Sequence, residues 1–383
     1  MIYLDFNATT ACASEVVSAM QKYWADEFGN PSSAHIAGRR AKEAVAKARK
    51  QVAELINCQP AEIIFTSGAT ESNNLVFLGL LLSGAGNRNK IVVSAIEHKA
   101  VLEPAKLLAK HGFEVAILPV DDQGVVKLDA AAEIIDQKTS LLSVHTANNE
   151  IGTIQPVKEL AALAHAKGAY FHTDAAQALG KMELNVEAID CDFASFSAHK
   201  IYGPKGVGAL FTRGGPTRWP FEKPLCGGGQ EGGLRPGTIN VPGVVGFGEA
   251  CKQVKHQFND TVAKLTELTN IFIELLKEKF PTAIINTPNA PRLPGVVSVS
   301  FPNLHGDLLL SNLPAYCFSR GSACDSGAIS PSHVLKQIIN NHDIIDNTVR
   351  FSFGKNILED DFVIFMEKIK MLLNKLSEYE KDL

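Results

Sequence analysis

The chain lacks the features that mark membrane-bound and exported proteins. Its longest strongly apolar run, Leu75 to Leu82, is too short to span a bilayer. The first residues, Met1 to Asp5, include neither a basic region nor a cleavage site of the kind that export signals carry. We therefore expect a cytoplasmic protein with no membrane partner.

An excess of positive charge and a regular cysteine pattern are also missing. The net charge is −4 at pH 7, which gives no support to nucleic acid as a direct ligand. The seven cysteines are odd in number and contain no C-x-x-C pair, so neither a disulfide framework nor a metal site is indicated. The length of 383 residues, with 45% hydrophobic residues, predicts a globular protein of roughly two domains.

Short apolar runs alternate with longer amphipathic segments from residue 62 to residue 211. Lys90 to Ser94 and Glu114 to Leu118 are typical of buried strands, and Ala100 to His111 between them is typical of a helix. This alternation predicts a largely parallel sheet covered by helices. Ligands bind such sheets at the carboxyl ends of the strands, so the residues that follow each strand are the candidates for function.

The alternation ends near residue 250. Asn259 to Phe280 predicts one long amphipathic helix, and strands are predicted at Val297 to Phe301 and Thr348 to Phe353. Strands and helices no longer alternate strictly there. The pattern favours a second, smaller α+β domain.

Lys200 lies between an apolar strand, Phe193 to Phe196, and a segment rich in glycine and proline. Desolvation there disfavours the charged form of the amine, as a Schiff-base lysine requires. The hydroxyl of Ser197 and the imidazole of His199 flank the lysine, and both can donate to a phosphate. On this fragment alone, a surface lysine on a turn explains the residues equally well.

Small and hydroxylated residues follow the strand Glu62 to Thr66 and open a helix. Backbone N–H groups at a helix N-terminus bind anions, although an ordinary N-cap gives the same pattern. The segment has neither the Walker lysine nor the Rossmann glycine spacing, which favours a single small phosphate.

Two further strands of the predicted sheet end in polar side chains. His98 follows Lys90 to Ser94 and can stack on a planar ligand, although a loop histidine with no such role is the simpler interpretation. Asp174 follows another apolar strand, where a protonated pyridine nitrogen is a suitable cationic partner. A phosphate anchor, a carboxylate and then Lys200, in this order, predict a pyridoxal phosphate (PLP) site.

Long motifs along nearly the whole chain resemble those of the NifS/IscS-like cysteine desulfurases, within the class V, fold-type I PLP enzymes. The resemblance is carried by YLDFNATT (3–10), NPSSAH (30–35), FTSGATESNN (65–74), EHKA (97–100), NNEIGTIQP (148–156), HTDAAQ (172–177), SAHKIYGPKGVGAL (197–210), GGGQEGGLRPGTIN (227–240), GSACDSG (321–327), SHVL (332–335) and VRFSFG (349–354).

The resemblance implies an α/β fold of type I with two domains. A large PLP-binding domain over 14–250 would hold a mainly parallel seven-stranded sheet between helices. A small α+β domain, formed by 1–13 and 251–383, would carry a catalytic cysteine loop at about 319–332. The resemblance also implies a homodimer with shared active sites.

The resemblance further implies roles for individual residues. Lys200 would hold PLP covalently, Asp174 would pair with the pyridine nitrogen, and Gln177 would bind the ring hydroxyl. His98 would stack on the ring and assist proton transfer. The phosphate would be held by Ala69, Thr70, Ser197 and His199, together with Thr238 of the neighbouring subunit. The substrate carboxylate would be received by Asn149 and Arg350, and a bidentate arginine is well suited to this task. Asn149 is also expected to contact the cofactor.

Cys324 is the residue that would distinguish a desulfurase from an aminotransferase. Its flanks are Gly, Ser and Asp, which disfavours a role as a buried packing residue, whereas Cys317 beside Phe318 is expected to pack. The resemblance implies that Cys324 takes sulfur from L-cysteine, which leaves L-alanine and a persulfide that passes to an acceptor protein. The length of the loop resembles the IscS-like branch.

Three residues depart from the family pattern, namely Ala11, Pro236 and Arg320. Arg320 lies four residues before Cys324, where a cation would stabilise its thiolate or meet an acidic partner. These departures leave the sulfur acceptor open, and iron–sulfur assembly, tRNA thiolation and DNA phosphorothioation all use relatives of this kind.

Other functions are also compatible with parts of the sequence. A selenocysteine lyase and a small-amino-acid aminotransferase are the alternatives among class V enzymes, although an aminotransferase needs no nucleophilic thiol. A sulfur-pathway scaffold with a relic cofactor site is the alternative outside enzymes, and a purified protein without PLP would favour it.

Overall fold

The computed structural model describes residues 1–84, 86–321 and 331–381. The α-helices of these residues are α1 (Ser14–Ala25), α2 (Ile36–Ile56), α3 (Ala69–Ser83), α4 (Lys99–Lys110), α5 (Leu128–Ile134), α6 (Val157–Ala166), α7 (Val186–Ile189), α8 (Val241–Lys279), α9 (Gly306–Asn312), α10 (Leu335–Ile338), α11 (His342–Asp346) and α12 (Glu359–Lys381). Their strands are β1 (Ile2–Tyr3), β2 (Ile63–Thr66), β3 (Lys90–Ser94), β4 (Glu114–Leu118), β5 (Thr139–Ser143), β6 (Tyr170–Asp174), β7 (Phe193–Ser197), β8 (Gly208–Thr212), β9 (Ile284–Ile285), β10 (Val296–Ser300), β11 (Tyr316–Cys317) and β12 (Thr348–Ser352).

A seven-stranded sheet forms the centre of the fold, in the order β2-β8-β7-β6-β5-β3-β4. The strands from β4 to β7 pair in parallel, and β8 runs antiparallel to both β7 and β2. The prediction of a mainly parallel seven-stranded sheet is therefore confirmed. The carboxyl ends of β2, β3, β5, β6 and β7 all meet at one edge of this sheet.

Helices cover both faces of the central sheet, which explains why β2, β3, β5, β7 and β8 are buried along their whole length. Along β3, Val92 packs in one buried cluster with residues of α2, α6 and α8. Its neighbours Ile91 and Val93 pack in another cluster with residues of α3 and α4. Alternate side chains of a strand point to opposite faces, so these two clusters form the two layers of core.

A second structural region contains a small antiparallel sheet in the order β12-β10-β9, and β1 pairs in parallel with β11. Its buried cluster joins Leu4 to the second half of α8 and to α12. Val334, Leu335 and Ile345 instead pack in the core of the central sheet. The division into 14–250 and 1–13 with 251–383 stays a prediction.

The long helix α8 begins at Val241, whereas the sequence predicted a start at Asn259; the predicted start was wrong. The first turns contain Pro242 and three glycines, which lower intrinsic helix propensity. Proline is nevertheless tolerated in the first turn, where its missing N–H has no intrahelical partner. A Cβ atom on Gly248 would lie 2.6 Å from the Cα of Ala48, so this glycine allows α8 to approach α2 closely. Tertiary packing thus outweighs local propensity.

None of the helices formed by the described residues is long and apolar enough to cross a membrane.

Candidate active site

A cavity of about 420 Å³ lies at the carboxyl ends of the central strands. Most of the site residues predicted from the sequence line it, namely Ala69, Thr70, His98, Asn149, Asp174, Gln177, Ser197, His199, Lys200 and Arg350. Thr238 is exposed on the segment that leads into α8, outside this lining within the described part of the chain. Cys324 lies outside the described residues.

Lys200 ends a short 3₁₀ turn, Ala198–Lys200, that directly follows β7. Its Nζ atom donates to the backbone oxygens of Asn7, at 2.5 Å, and Ala8, at 2.9 Å. The amine is therefore held by the N-terminal segment at the floor of the cavity. Sequence reasoning missed Asn7 and Ala8, since they act through backbone oxygens that side-chain patterns do not reveal.

Asp174 is the last residue of β6, and it is 7% exposed. Its Oδ2 accepts from the Nδ2 of Asn73 at 2.7 Å, and its Oδ1 accepts from the backbone N–H of Ala176 at 3.0 Å. Both donors are neutral, so they orient the carboxylate without neutralising it. A cationic ring nitrogen in the cavity would supply the compensating charge.

The phosphate-binding residues predicted from the sequence lie together. Ala69 and Thr70 form the N-terminus of the 15-residue helix α3, whose first N–H groups have no intrahelical partner. His199 contacts the hydroxyl of Thr9 through Nδ1 at 3.1 Å. Burial, helped by the charges of Lys200 and Lys205, lowers the pKa of His199 to about 4, so the imidazole is neutral at pH 7.

Arg350, on β12 of the small sheet, extends into the cavity and is 2% exposed. Its Nη1 donates to the backbone oxygen of Asn149 at 2.9 Å, and its Nη2 donates to the carboxylate of Asp5 at 2.6 Å. Its Nε is buried and has no hydrogen-bond partner among the described residues. The guanidinium is thus fixed in orientation by two of its five N–H groups, and the other three remain for a ligand.

His98 caps α4, because its Nδ1 accepts the backbone N–H of Ala100 at 3.1 Å. An accepting Nδ1 places the proton of a neutral imidazole on Nε2. The ring is therefore held at the cavity wall in one tautomer.

Glu97 and His145 are two buried groups that were not predicted as site residues, and His145 lines the cavity. Glu97 accepts from the Ser94 hydroxyl at 2.5 Å and from the His145 backbone N–H at 2.8 Å. Burial raises the pKa of Glu97 to about 8, with a further contribution from Asp174, and burial lowers the pKa of His145 to about 4. Both groups are therefore mainly neutral at pH 7. Their position after β3 and β5 was the signal in the sequence.

Arg320 already has acidic partners within its own chain. Its guanidinium donates to the Asp307 carboxylate at 2.7 Å and to the Asp346 carboxylate at 3.2 Å. Both carboxylates belong to the same chain, and the two roles expected for Arg320, toward the Cys324 thiolate or toward an acidic partner protein, stay predictions. Cys317 lies half-buried on β11, in register with Tyr3.

The donors and acceptors of the cavity fit PLP. A helix N-terminus with hydroxyl groups suits the phosphate, the buried Asp174 suits the pyridine nitrogen, and the Lys200 amine suits the aldehyde carbon. These three groups follow different strands and converge in one cavity.

The chain is similar in sequence to known proteins. The family model for aminotransferase class-V matches residues 2–363. The cysteine desulfurase IscS of Dictyoglomus turgidum is 40% identical over 386 residues, covering 100% of this chain and 97% of the relative.

Two solved structures are also similar to this chain. A NifS-like protein superposes with a TM-score of 0.91 at 37% identity, covering 97% of this chain and 99% of that one. The structure of SspA in complex with cysteine superposes with a TM-score of 0.83 at 34% identity, covering 94% of this chain and 100% of that one. This chain therefore belongs to the class-V aminotransferase family and, within it, to the NifS/IscS-like cysteine desulfurases.

Proposed function

We propose that this chain uses PLP to remove sulfur from L-cysteine, which gives L-alanine and a persulfide on Cys324. The observation that carries the proposal is the convergence of Lys200, Asp174 and Arg350 in one cavity. Each of the three suits a different part of a PLP–amino acid reaction. The cysteine desulfurase relatives support the choice of substrate.

PLP, when bound, supplies an electron sink that stabilises negative charge at the α-carbon of an amino acid. Asp174 would keep the pyridine nitrogen protonated, because the neutral donors of Asn73 and Ala176 leave the charge of the carboxylate uncompensated. Lys200 Nζ first holds the cofactor and later accepts the α-proton of the substrate. The Asn7 and Ala8 oxygens position that amine for both tasks.

Arg350 binds the substrate carboxylate, and its contacts with Asp5 and Asn149 fix the plane of its guanidinium. The Asn149 side chain assists from the same wall of the cavity. With the cofactor bound, His98 would stack on its ring, and the Nε2–H of His98 would move protons beside the reacting carbon. The neutral His199, with Ala69, Thr70 and Ser197, holds the phosphate.

Cys324 acts as a thiolate on the sulfur of the substrate. A sulfur–sulfur bond forms while the carbon–sulfur bond of the substrate breaks. The electron pair of the broken bond stays with the carbon skeleton, which leaves as L-alanine after protonation. The sulfur that is now on Cys324 passes to an acceptor protein.

The assembly that we propose is a cytoplasmic homodimer in which Thr238 of each subunit contacts the phosphate in the other. The exposed position of Thr238 in a single chain supports this arrangement. Iron–sulfur assembly, tRNA thiolation and DNA phosphorothioation remain the candidate uses of the sulfur, each through an acceptor protein.

An assay of sulfide and alanine production from L-cysteine, with reductant present, tests the proposed function. The wild-type protein is expected to be yellow and to release equal amounts of sulfide and alanine. Cys324→Ser is expected to stay yellow and lose sulfide production. Cys226→Ser is the matched control, because Cys226 is an exposed cysteine outside the cavity lining. Full sulfide production by Cys324→Ser would show that another group is the nucleophile.

A further inference from the structure

Lys181 is a buried cation that the function proposed above does not use. Lys181 is 8% exposed and lies four positions after Gln177, in the turn that follows β6. Its Nζ donates to the Oδ1 of Asn7 at 2.5 Å and to the Oε1 of Gln177 at 3.3 Å. Both acceptors are neutral amide oxygens, and no carboxylate of the described residues forms an ion pair with Lys181.

A buried ammonium group without a counter-ion is costly in free energy. Burial, followed by the charges of Lys200 and Arg350, lowers the pKa of Lys181 to about 7. A methionine of similar length would fill the same space without this cost. The charged group is therefore better explained by an effect on its neighbours than by packing.

The effect on Gln177 follows from hydrogen-bond chemistry. A lysine ammonium group only donates, whereas an amide carries an accepting oxygen and a donating NH₂ group. Lys181 therefore fixes the Gln177 amide with its oxygen turned toward the ammonium group. The Nε2 then donates one hydrogen to the backbone oxygen of Asn7 at 3.0 Å, and its second hydrogen is the one that Gln177 can present to the cavity.

Asn7 connects this arrangement to Lys200. Its Oδ1 accepts from Lys181, so its Nδ2 is directed to the backbone oxygen of Asn149 at 3.1 Å. Its own backbone oxygen accepts from both Gln177 and Lys200. A change at Lys181 therefore affects both the Gln177 amide and the Lys200 amine, which would face the cofactor.

We propose that Lys181 is a positioning residue that holds the Gln177 amide as a hydrogen-bond donor toward the ring oxygen of PLP. The inference rests on the proposed function, since it concerns the same cofactor. A donor and a nearby cation both stabilise an anionic ring oxygen. If the amide turned its own oxygen toward the ring, it would destabilise the anionic ring oxygen.

The test is a pH titration of the visible absorbance of the PLP-loaded enzyme. Loss of the fixed donor in Lys181→Met strengthens the attraction between the ring oxygen and the protonated nitrogen of Lys200. Loss of the cation acts in the same direction below about pH 7, where Lys181 is protonated. The midpoint of the titration is therefore expected to rise by about one pH unit, the size of effect of a hydrogen bond to a charged group.

The variant retains the other charged groups around this position. These are Lys200 after β7, Arg350 on β12 with its partner Asp5, Asp174 at the end of β6, and Glu15 and Lys355, which line a smaller cavity together with Lys181. A change of midpoint is thus attributable to the substitution itself.

Lys90→Met is the matched control, because Lys90 is also a buried lysine, 7% exposed, at the start of β3. Its Nζ donates to the Asp136 carboxylate at 3.1 Å, so its removal breaks an ion pair far from the cavity. The control is expected to lower the melting temperature and leave the midpoint unchanged. Lys181→Met, which removes an unpaired charge, is expected to keep or raise the melting temperature of the PLP-free protein.

A double-mutant cycle with Gln177→Leu separates orientation from charge. If Lys181 acts through Gln177, its substitution shifts the midpoint less in the Gln177→Leu background than in the wild type. Equal shifts in both backgrounds, an unchanged midpoint, or a large loss of stability in Lys181→Met would each overturn the inference. A wild-type protein that takes up no PLP would instead overturn the proposed function, and the inference with it.

Discussion

The carboxylate of Asp5 accepts a hydrogen bond from the Nη2 of Arg350 at 2.6 Å, across 345 positions of sequence. Side-chain exposures of 16% and 2% make this a largely buried ion pair. The same guanidinium faces the cavity, so the N-terminal segment supports the group that we propose as the carboxylate receptor. Stability and the proposed binding of the substrate carboxylate are therefore expected to depend on the same contact.

Asp5→Asn is expected to lower the free energy of unfolding by about 3 kcal/mol, because it leaves the buried charge of Arg350 without its counter-charge. Chemical denaturation of the PLP-free protein measures this change. Lys106→Gln is the control, since its ion pair with Glu103 is exposed and contributes less than about 1 kcal/mol. Equal effects of the two substitutions would contradict the importance of burial.

Arg350→Lys is expected to raise KM for L-cysteine about tenfold or more, with a smaller effect on kcat. Lysine keeps the charge but loses the planar pair of donors that matches a carboxylate, and one charge-assisted hydrogen bond is worth about that much. Steady-state kinetics with varied cysteine measure the two constants. An unchanged KM would assign the substrate carboxylate to another residue.

Much of the central sheet was predictable from local sequence. Lys90–Ser94 and Glu114–Leu118 have the predicted bounds, because each contains an apolar run, at 91–93 and 115–118, that starts directly after a charged residue. The start of α8 was not predictable in this way, since packing of Gly248 against α2 decides it. Local patterns report burial and turns, but they do not report which distant backbone a glycine will contact.

Local sequence patterns also predicted only part of the candidate site. Lys200, Asp174 and His98 were identifiable because polar residues after apolar strands converge at one sheet edge. Asn7 was not, since it acts mainly through a backbone oxygen and lies 193 positions from Lys200. Lys181 was missed because it contacts Asn7 and Gln177 and does not itself line the cavity. Contacts between supporting residues depend on tertiary structure that the motifs do not encode.

Asn73→Ala is expected to weaken PLP binding about tenfold, because Asp174 loses the amide donor at 2.7 Å that orients its carboxylate. Titration of the PLP-free protein with PLP, followed by absorbance, gives the dissociation constant. Asn312→Ala on α9 is the control, since that side chain is exposed and, among the described residues, bonds only to Leu308 and Ser311. Similar affinities of Asn73→Ala and the wild type would mean that Asp174 needs no such support.

Glu97→Gln is expected to stabilise the protein more at pH 8 than at pH 5. Burial raises the pKa of Glu97 to about 8, so the folded protein holds a proton that the unfolded chain releases above its ordinary pKa of 4.5. The stability due to this proton is complete below pH 4.5 and is lost as the pH rises toward 8.

Glutamine is the neutral analogue of the protonated acid and keeps an acceptor for Ser94 and for the His145 backbone N–H. The difference in unfolding free energy between variant and wild type should therefore grow by roughly 3 to 4 kcal/mol from pH 5 to pH 8, because this range lies between the two pKa values and each pH unit corresponds to about 1.4 kcal/mol. Denaturation curves at the two pH values measure it. Glu103→Gln, at an exposed position on α4, is the control and is expected to show little such growth. If Glu97→Gln instead gave the same difference at both pH values, Glu97 would be ionised in the folded protein.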